Sequence, residues 1–374
     1  MTGTPVDWKA RAVALADRLT EQGAITDPAW RRVVETVPRH VFVPEFYSDG
    51  DPPELITARD ARWLELAYSD DTLVTQRKEH PDQPGFSWST SSSTRPGFML
   101  RLLHLLDVGD GMDVLEIGTG TGYTAGLLCE RLGSQHVSTV DIDPELTEAA
   151  RRRLADAGYR PAVITGDGLL GDPVHAPFDR VLATVATESV PYAWVEQTRA
   201  GGVILADVRP RGMTRAGALA RLTVTEQGTA GGPLIPATWG FMSTRREVDR
   251  PGIPETAPID TSVVRTRTSP VGGAALRTPG LSLLIWQRLP GVTVFPRPDG
   301  AQIVTPDASW ATVTTTAPAT VEYGGPTDLW QQVEEAHAWW TAHGRPDVDA
   351  FDLTVTPDEQ RIHYRTPDGD DRNR

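Results

Sequence analysis

The spacing of apolar positions changes period several times along this chain, and each change marks an element. From Trp8 the residues Ala12, Leu15 and Leu19 recur at helical spacing, and a second run carries Trp30, Val33, Val34 and Val37. Two helices follow, the second opened by Asp27-Pro28 and stopped by Val37-Pro38. The stretch 48–95 keeps no period. It is rich in Asp, Pro, Ser and Thr, broken by an apolar run at 61–66, and reads as a long loop region with short elements. Loops of that length are usually functional or disordered, and one leading straight into a core reads as functional.

Regular alternation begins with a helix over 97–106. Strands are predicted at 112–117, 137–141, 161–165, 179–184 and 202–207, with helices at 122–132, 144–157 and 190–199. Pro144, Gly158 and Gly201-Gly202 fall where helices should start and stop. Such alternation demands a mostly parallel sheet covered by helices on both faces. Two more strands, 216–226 and 237–245, joined by a Gly-rich turn, read as an antiparallel edge.

After about 246 the pattern breaks at a Pro-rich connector, 250–258, which is stiff rather than floppy. Beyond it β-like pieces at 281–287, 302–305 and 310–315 precede a helix at 327–343 and strands near 351–356 and 361–365. The fold class is therefore α/β, a doubly wound, mostly parallel sheet with a smaller C-terminal α+β domain. Its divisions are 1–95, helices and a substrate-side loop region belonging to the core domain; 96–248, the core; and 259–374, an α+β extension expected to recognise the substrate. On the predicted helix Leu329, Trp330, Val333, His337 and Trp340 share one face, most simply a packing stripe, more sharply a peptide groove.

At 374 residues, two domains are the default. No segment approaches the roughly 18 consecutive apolar residues of a membrane helix. The first residues lack the basic and apolar regions of a secretory signal, and Cys129 is the only cysteine, so a soluble cytoplasmic protein without disulfides or membrane partner is expected. A net charge of −14 argues against nucleic acid, since phosphate contacts need clustered Lys and Arg. An acidic substrate then needs local compensation, for which Arg39, His40 and Arg95 are candidates. His337 and His343 beside Glu334 and Glu335 match no zinc spacing, and no metal is expected.

The densest chemistry lies in Val114-Leu-Glu-Ile-Gly-Thr-Gly-Thr-Gly-Tyr123, where an apolar strand breaks into a three-glycine turn and opens a helix. Gly118, Gly120 and Gly122 permit positive φ angles and let a bulky ligand approach the backbone. The order Glu-x-Gly-x-Gly-x-Gly departs from the dinucleotide spacing and suits S-adenosylmethionine, with a flavin or nicotinamide enzyme the alternative. Asp141, ending the next apolar strand, is placed to bond a ribose hydroxyl pair. Gly166-Asp167-Gly168 follows the third strand and suits the adenine amino group. Glu116, Gly118, Gly120, Gly122, Tyr123, Asp141, Asp167 and Gly168 form the candidate cofactor set, which makes 96–248 the S-adenosylmethionine-binding core.

With these segments in view, Val37-Pro-Arg-His-Val-Phe-Val-Pro44, Ala67-Tyr-Ser-Asp70, Thr94-Arg-Pro96, Gly166-Asp-Gly168 and Ala176-Pro-Phe-Asp179 resemble the protein-L-isoaspartate O-methyltransferases from about 20 to 245. The final third is foreign to the stand-alone repair enzyme. It resembles a branch acting in ribosomal-peptide pathways (lasso peptides, graspetides, lanthipeptides), where an Asp is methylated and closes to an aspartimide. That resemblance implies a precursor-peptide substrate, with general isoaspartyl repair as the alternative and a pure binding module as the third reading. The family places Ser two residues before Pro; here Thr94 stands there, and Thr94 or the neighbouring Ser93 is the implied catalytic hydroxyl, holding one carboxylate oxygen. Thr adds a methyl and stiffens χ1, which narrows the pocket. No base is needed, because a carboxylic acid with pKa near 4 is already ionised at neutral pH.

Overall fold

The computed structural model describes residues 7–80, 83–213, 216–237, 240–245 and 259–365. The connector expected at 250–258 and the tail expected to fray from 368 lie outside the described residues. Two compact units are present. One takes the described residues up to Thr184, then 193–205 and Arg245; the other takes 185–192, 206–244 and the described residues from 259 onward. Among the described residues no helix is long and apolar enough to cross a membrane.

In the first unit α1 (Trp8–Glu21) and α2 (Pro28–Thr36) begin at Asp7 and Asp27, whose side chains accept from the Ala10 and Ala29 amides. These caps answer helix-end N–H groups that have no partner within the helix. A short α3 (Arg39–Phe42) follows Pro38. The region expected to be mainly loop is instead built around β1 (Glu45–Tyr47), β2 (Leu55–Thr57), α4 (Trp63–Ala67), β3 (Leu73–His80) and β4 (Gln83–Ser93). The four strands form an antiparallel sheet in the order β2-β1-β3-β4. Strand β4 escaped the sequence pattern because its run of Ser and Thr from Ser89 to Ser93 offers no alternation of apolar and polar residues; pairing with β3 makes it a strand.

The parallel core comprises α5 (Pro96–Leu106), β5 (Val114–Ile117), α6 (Tyr123–Leu132), β6 (Val137–Asp141), α7 (Pro144–Asp156), β7 (Ala162–Thr165), β8 (Phe178–Thr187), α8 (Tyr192–Glu196) and β9 (Thr198–Val208). Strand order is β9-β8-β5-β6-β7. β5 is buried at every position and β6 at all but Asp141, as a sheet covered on both faces requires. Register aligns the carboxyl ends: Ile117 lies beside Ala183 and Val140, and Asp141 beside Thr165. The helix expected at 190–199 is only five residues long. Thr198 ends it by donating its hydroxyl to the Trp194 carbonyl at 2.6 Å and already belongs to the next strand.

In the second unit β10 (Ala218–Val224) and β11 (Ala230–Pro236) form a hairpin that turns through Gly228 at φ 72°. β11 also pairs with β17 (Phe351–Val355), which pairs with β18 (Gln360–Tyr364). The second strand of this hairpin therefore lies at 230–236, not at 237–245. Its Gly231-Gly-Pro233 looked like a turn, yet a Cβ at Gly232 would sit 2.2 Å from the Arg221 carbonyl, so glycine is there for close strand approach.

A five-stranded antiparallel sheet joins β12 (Arg265–Ser269), β16 (Ala319–Gly324), β15 (Trp310–Thr314), β14 (Gly300–Val304) and β13 (Thr293–Arg297) in that order. Residues 281–287, expected to be β-like, lie in the helix α9 (Pro279–Arg288), with Pro279 in its first turn. Leu281, Ser282, Leu283 and Ile285 are all buried, so no polar face betrays a helical period. Helix α10 (Leu329–Ala342) contributes Leu329, Trp330, Val333 and Ala336 to the same core, while His337 and Trp340 are half-buried.

Candidate active site

The glycine turn connects β5 to α6. Gly118, Gly120 and Gly122 stand at φ 100°, 51° and 86°, in the region that costs other residues a Cβ clash. The Gly118 amide donates to the Val140 carbonyl at 2.8 Å, and the Thr184 hydroxyl donates to the Ile117 and Gly118 carbonyls at 3.0 and 2.8 Å. The turn is held from both neighbouring strands. A Cβ on Gly122 would lie 3.1 Å from the Ala150 Cβ, which brings α7 close behind it.

Asp141 sits at the partly exposed end of β6. Its Oδ2 accepts the Gly120 amide at 2.9 Å and its Oδ1 the Asp143 amide at 3.1 Å. A carboxylate offers about four acceptor positions, so two remain for a ribose hydroxyl pair. Burial raises the Asp141 carboxyl, while the two amides and the nearby Arg245 guanidinium pull it down. The Gly166 amide donates to the Asp141 carbonyl at 2.9 Å, bringing the Gly-Asp-Gly segment to the same edge. Gly168 lies against Ile117, whose Cγ2 would be 2.6 Å from an added Cβ. Exposed Asp167 caps the following turn, accepting the Leu169 amide at 2.9 Å.

Glu116 and Tyr123 are placed differently from the rest of the candidate set. Glu116 is fully buried beneath the turn, where the Thr139 hydroxyl donates to its Oε2 at 2.7 Å. Burial pushes its carboxyl up to about 8, against the Thr139 hydrogen bond, and the negative Asp141 adds to the rise. Tyr123 packs its buried ring on Phe42, 5.7 Å between centroids, and under the Arg39 guanidinium at 5.6 Å. Both residues support the turn from below.

The hydroxyl strand β4 runs beside this turn: Ser91 Oγ and the Ser92 carbonyl would each lie 3.6 Å from a Cβ on Gly120. Ser93 is buried, and its Oγ has no hydrogen-bond partner among the described residues. Thr94 is partly exposed, between the end of β4 and the start of α5. The cations expected to receive a carboxylate are already engaged. Arg39 is fully buried and donates to the Ala67, Ser69 and Asp71 carbonyls at 3.0, 2.7 and 3.0 Å. Arg95 pairs with Asp70 at 2.6 Å, and Asp70 also accepts the Gly97 amide at 2.7 Å in the first turn of α5. His40 Nδ1 lies 2.9 Å from the Tyr68 hydroxyl, and burial holds its pKa below the usual value.

Sequence reading missed Arg245, which donates to the Thr90 carbonyl at 3.5 Å, as well as Thr139, Thr184, Gln76 and Lys78. No local spacing marks them, because each reaches the site through tertiary pairing. Asp143 was missed as well; only its neighbour Pro144 was read, as a helix start.

The residues present fit S-adenosylmethionine: a positive-φ glycine cradle, a half-buried acid with free acceptor positions, and a hydroxyl strand alongside. Fold and site together define a class I S-adenosylmethionine-dependent methyltransferase. A family model for protein-L-isoaspartate(D-aspartate) O-methyltransferase matches residues 60–228. The Hyperthermus butylicus protein-L-isoaspartate O-methyltransferase is 33% identical over 207 residues, 53% of this chain and 74% of that one. A second relative, protein-L-isoaspartate O-methyltransferase 1 of Archaeoglobus fulgidus, is 32% identical over 199 residues, 53% of this chain and 79% of its own. A solved protein-L-isoaspartate O-methyltransferase superposes with a TM-score of 0.57 at 19% identity, covering 95% of this chain and 100% of that one. The chain belongs to the protein-L-isoaspartate O-methyltransferase family.

Proposed function

We propose that this enzyme methylates the free carboxylate of an L-isoaspartyl residue in a protein or peptide. The observation that supports methyl transfer at this site is the meeting, at Gly120, of the Asp141 carboxylate on one side and the hydroxyl strand on the other. S-adenosylmethionine, when bound, supplies an electrophilic methyl carbon on its sulfonium. Asp141 would hold the ribose and Asp167 with Gly168 the adenine edge, while the Thr94 hydroxyl, with Ser93 beside it, would hold one oxygen of the substrate carboxylate. The carboxylate oxygen left free would face that methyl group, which the cofactor would supply to it while the electrons of the S–C bond stay on sulfur. The carboxylate is already ionised at neutral pH, so no proton need be removed. Positioning and exclusion of water supply the rate, and alignment of this kind is worth about 7–11 kcal/mol in favourable cases.

The relatives' names support an isoaspartyl substrate. The resemblance to ribosomal-peptide tailoring supports a second reading, an Asp of a precursor peptide esterified on the way to an aspartimide. Its main argument was the extension, and that argument weakens because a solved structure named for isoaspartate methylation matches 95% of this chain. The test is methylation, with labelled cofactor, of an isoaspartyl hexapeptide and of its ordinary aspartyl isomer, followed by mass spectrometry. Methyl gain on the isoaspartyl form alone, followed by methanol loss, is the expected result. Methyl transfer only to an ordinary Asp of a precursor peptide would replace the first reading with the second.

A further inference from the structure

The hairpin of β3 and β4 is tied to the start of α7 through side chains that the reaction itself does not require. Asp143 is fully buried and caps α7, its Oδ1 accepting the Glu145 amide at 2.9 Å. Its Oδ2 faces two residues of β3: Gln76 Nε2 at 3.4 Å and Lys78 Nζ at 3.6 Å. The same Gln76 accepts the Thr90 hydroxyl on β4 at 2.6 Å, and Thr75 donates to Ser91 at 3.3 Å. Asp143 also donates its own amide to Asp141, the acid assigned to the ribose. An unbroken path therefore runs from the hydroxyl strand through Gln76 and Asp143 to Asp141.

We propose that Gln76 and Lys78 are positioning residues that latch the β3–β4 hairpin to the start of α7, so that the cofactor acid and the substrate-side hydroxyls are set by one buried carboxylate. Asp143 is shared between them. A glutamine suits the central place because it donates through its amide nitrogen to Asp143 while accepting Thr90 through its oxygen. Lys78 offsets the negative charge of Asp143 where burial would otherwise penalise it. The consequence is coupling: whatever orders Asp141 also orders β4, and an ordered β4 favours retention of the cofactor. This rests on the assignment of Asp141 and β4 to the active site, but it does not depend on which carboxylate is methylated.

The full-length protein tests it with S-adenosylhomocysteine as the probe, so that failure of the peptide assay cannot be mistaken for failure here. Calorimetry and hydrogen–deuterium exchange of residues 73–93 are measured with and without the probe. In the parent, probe binding should slow exchange in the hairpin. In Gln76→Ala that slowing should be lost and affinity should fall about tenfold. Gln76→Glu should be at least as weak, because it places a second carboxylate against Asp143, and Lys78→Ala should fall between. Circular dichroism and thermal melts without probe confirm that each variant is folded. Parental affinity together with parental protection in Gln76→Ala would overturn the proposal, as would a uniform loss of protection throughout the chain, which marks a purely structural residue. A split in which the KM for the cofactor rises several-fold with little change in kcat supports a latch on the cofactor side.

Discussion

Ser93 and Thr94 are adjacent in sequence but differ in burial. Ser93 is 3% exposed and its Oγ has no partner among the described residues, whereas Thr94 is partly exposed where β4 ends. Removing a buried hydroxyl that has no partner leaves nothing unsatisfied behind, so Ser93→Ala should keep or slightly raise the melting temperature. Thr94→Ala should lose a hydrogen bond to a charged group, about 1.5–3 kcal/mol in the transition state. That is a ten- to hundredfold slower single turnover; an unaltered rate in Thr94→Ala with a slowed Ser93→Ala would move the role to Ser93.

Glu116 carries a different test. Its carboxyl is pushed up from 4.5 to about 8 in the folded chain. Between those values the folded state keeps a proton that the unfolded state releases, so this residue's stabilising contribution is complete below the lower value and is lost as pH rises through the upper one. The slope approaches at most about 1.4 kcal/mol per pH unit. Glu116→Gln should flatten the decline in stability from pH 5 to 8, measured by urea titration without cofactor; parallel curves for the two proteins would show that Glu116 is ionised in the fold.

Among elements, the parallel strands and their glycine turn were legible because they obey local rules: a buried apolar run, glycines that accept positive φ, and a proline such as Pro144 opening a helix. The β3–β4 hairpin was not, since a strand made of Ser and Thr has no inward and outward face until it pairs. The expected role of Arg39 changed for a similar reason. A lone arginine reads as a surface charge or an anion ligand, but this one is closed in by α4 and the turn after it, spending its donors on three carbonyls. Arg39→Met should therefore destabilise the chain by at least about 1–3 kcal/mol, the cost of leaving the buried Ala67 carbonyl without this donor, with a smaller loss at the partly buried Ser69 and Asp71 carbonyls. A thermal melt reads the effect directly, and a melting temperature within a degree of the parent would show that the carbonyls find other donors.

At the scale of the whole molecule, chain order and spatial grouping part company. β11 follows the parallel core in sequence, yet it pairs with β17, more than a hundred residues later, and both belong to the second unit. Met213 and Ala216 likewise sit in the same core as α9, α10 and the five-stranded sheet. Ending the chain at residue 258 strips β11 of one neighbour and that core of most of its apolar residues. The truncated protein is expected to aggregate or bind a hydrophobic dye strongly, as exposed strand edges and apolar patches do; a soluble product with cooperative unfolding would show that the remaining strands suffice.

The sequence alone determined the alternating core, the glycine turn and the acids at the strand ends, because periodicity, glycine freedom and capping act over a few residues and can be read in order. Tertiary structure decided which charged residues are engaged, that a serine-rich stretch becomes a strand beside Gly120, and that late strands pair with an earlier hairpin of the same unit. Those outcomes depend on burial and on partners far apart in the chain, and neither has a local signature.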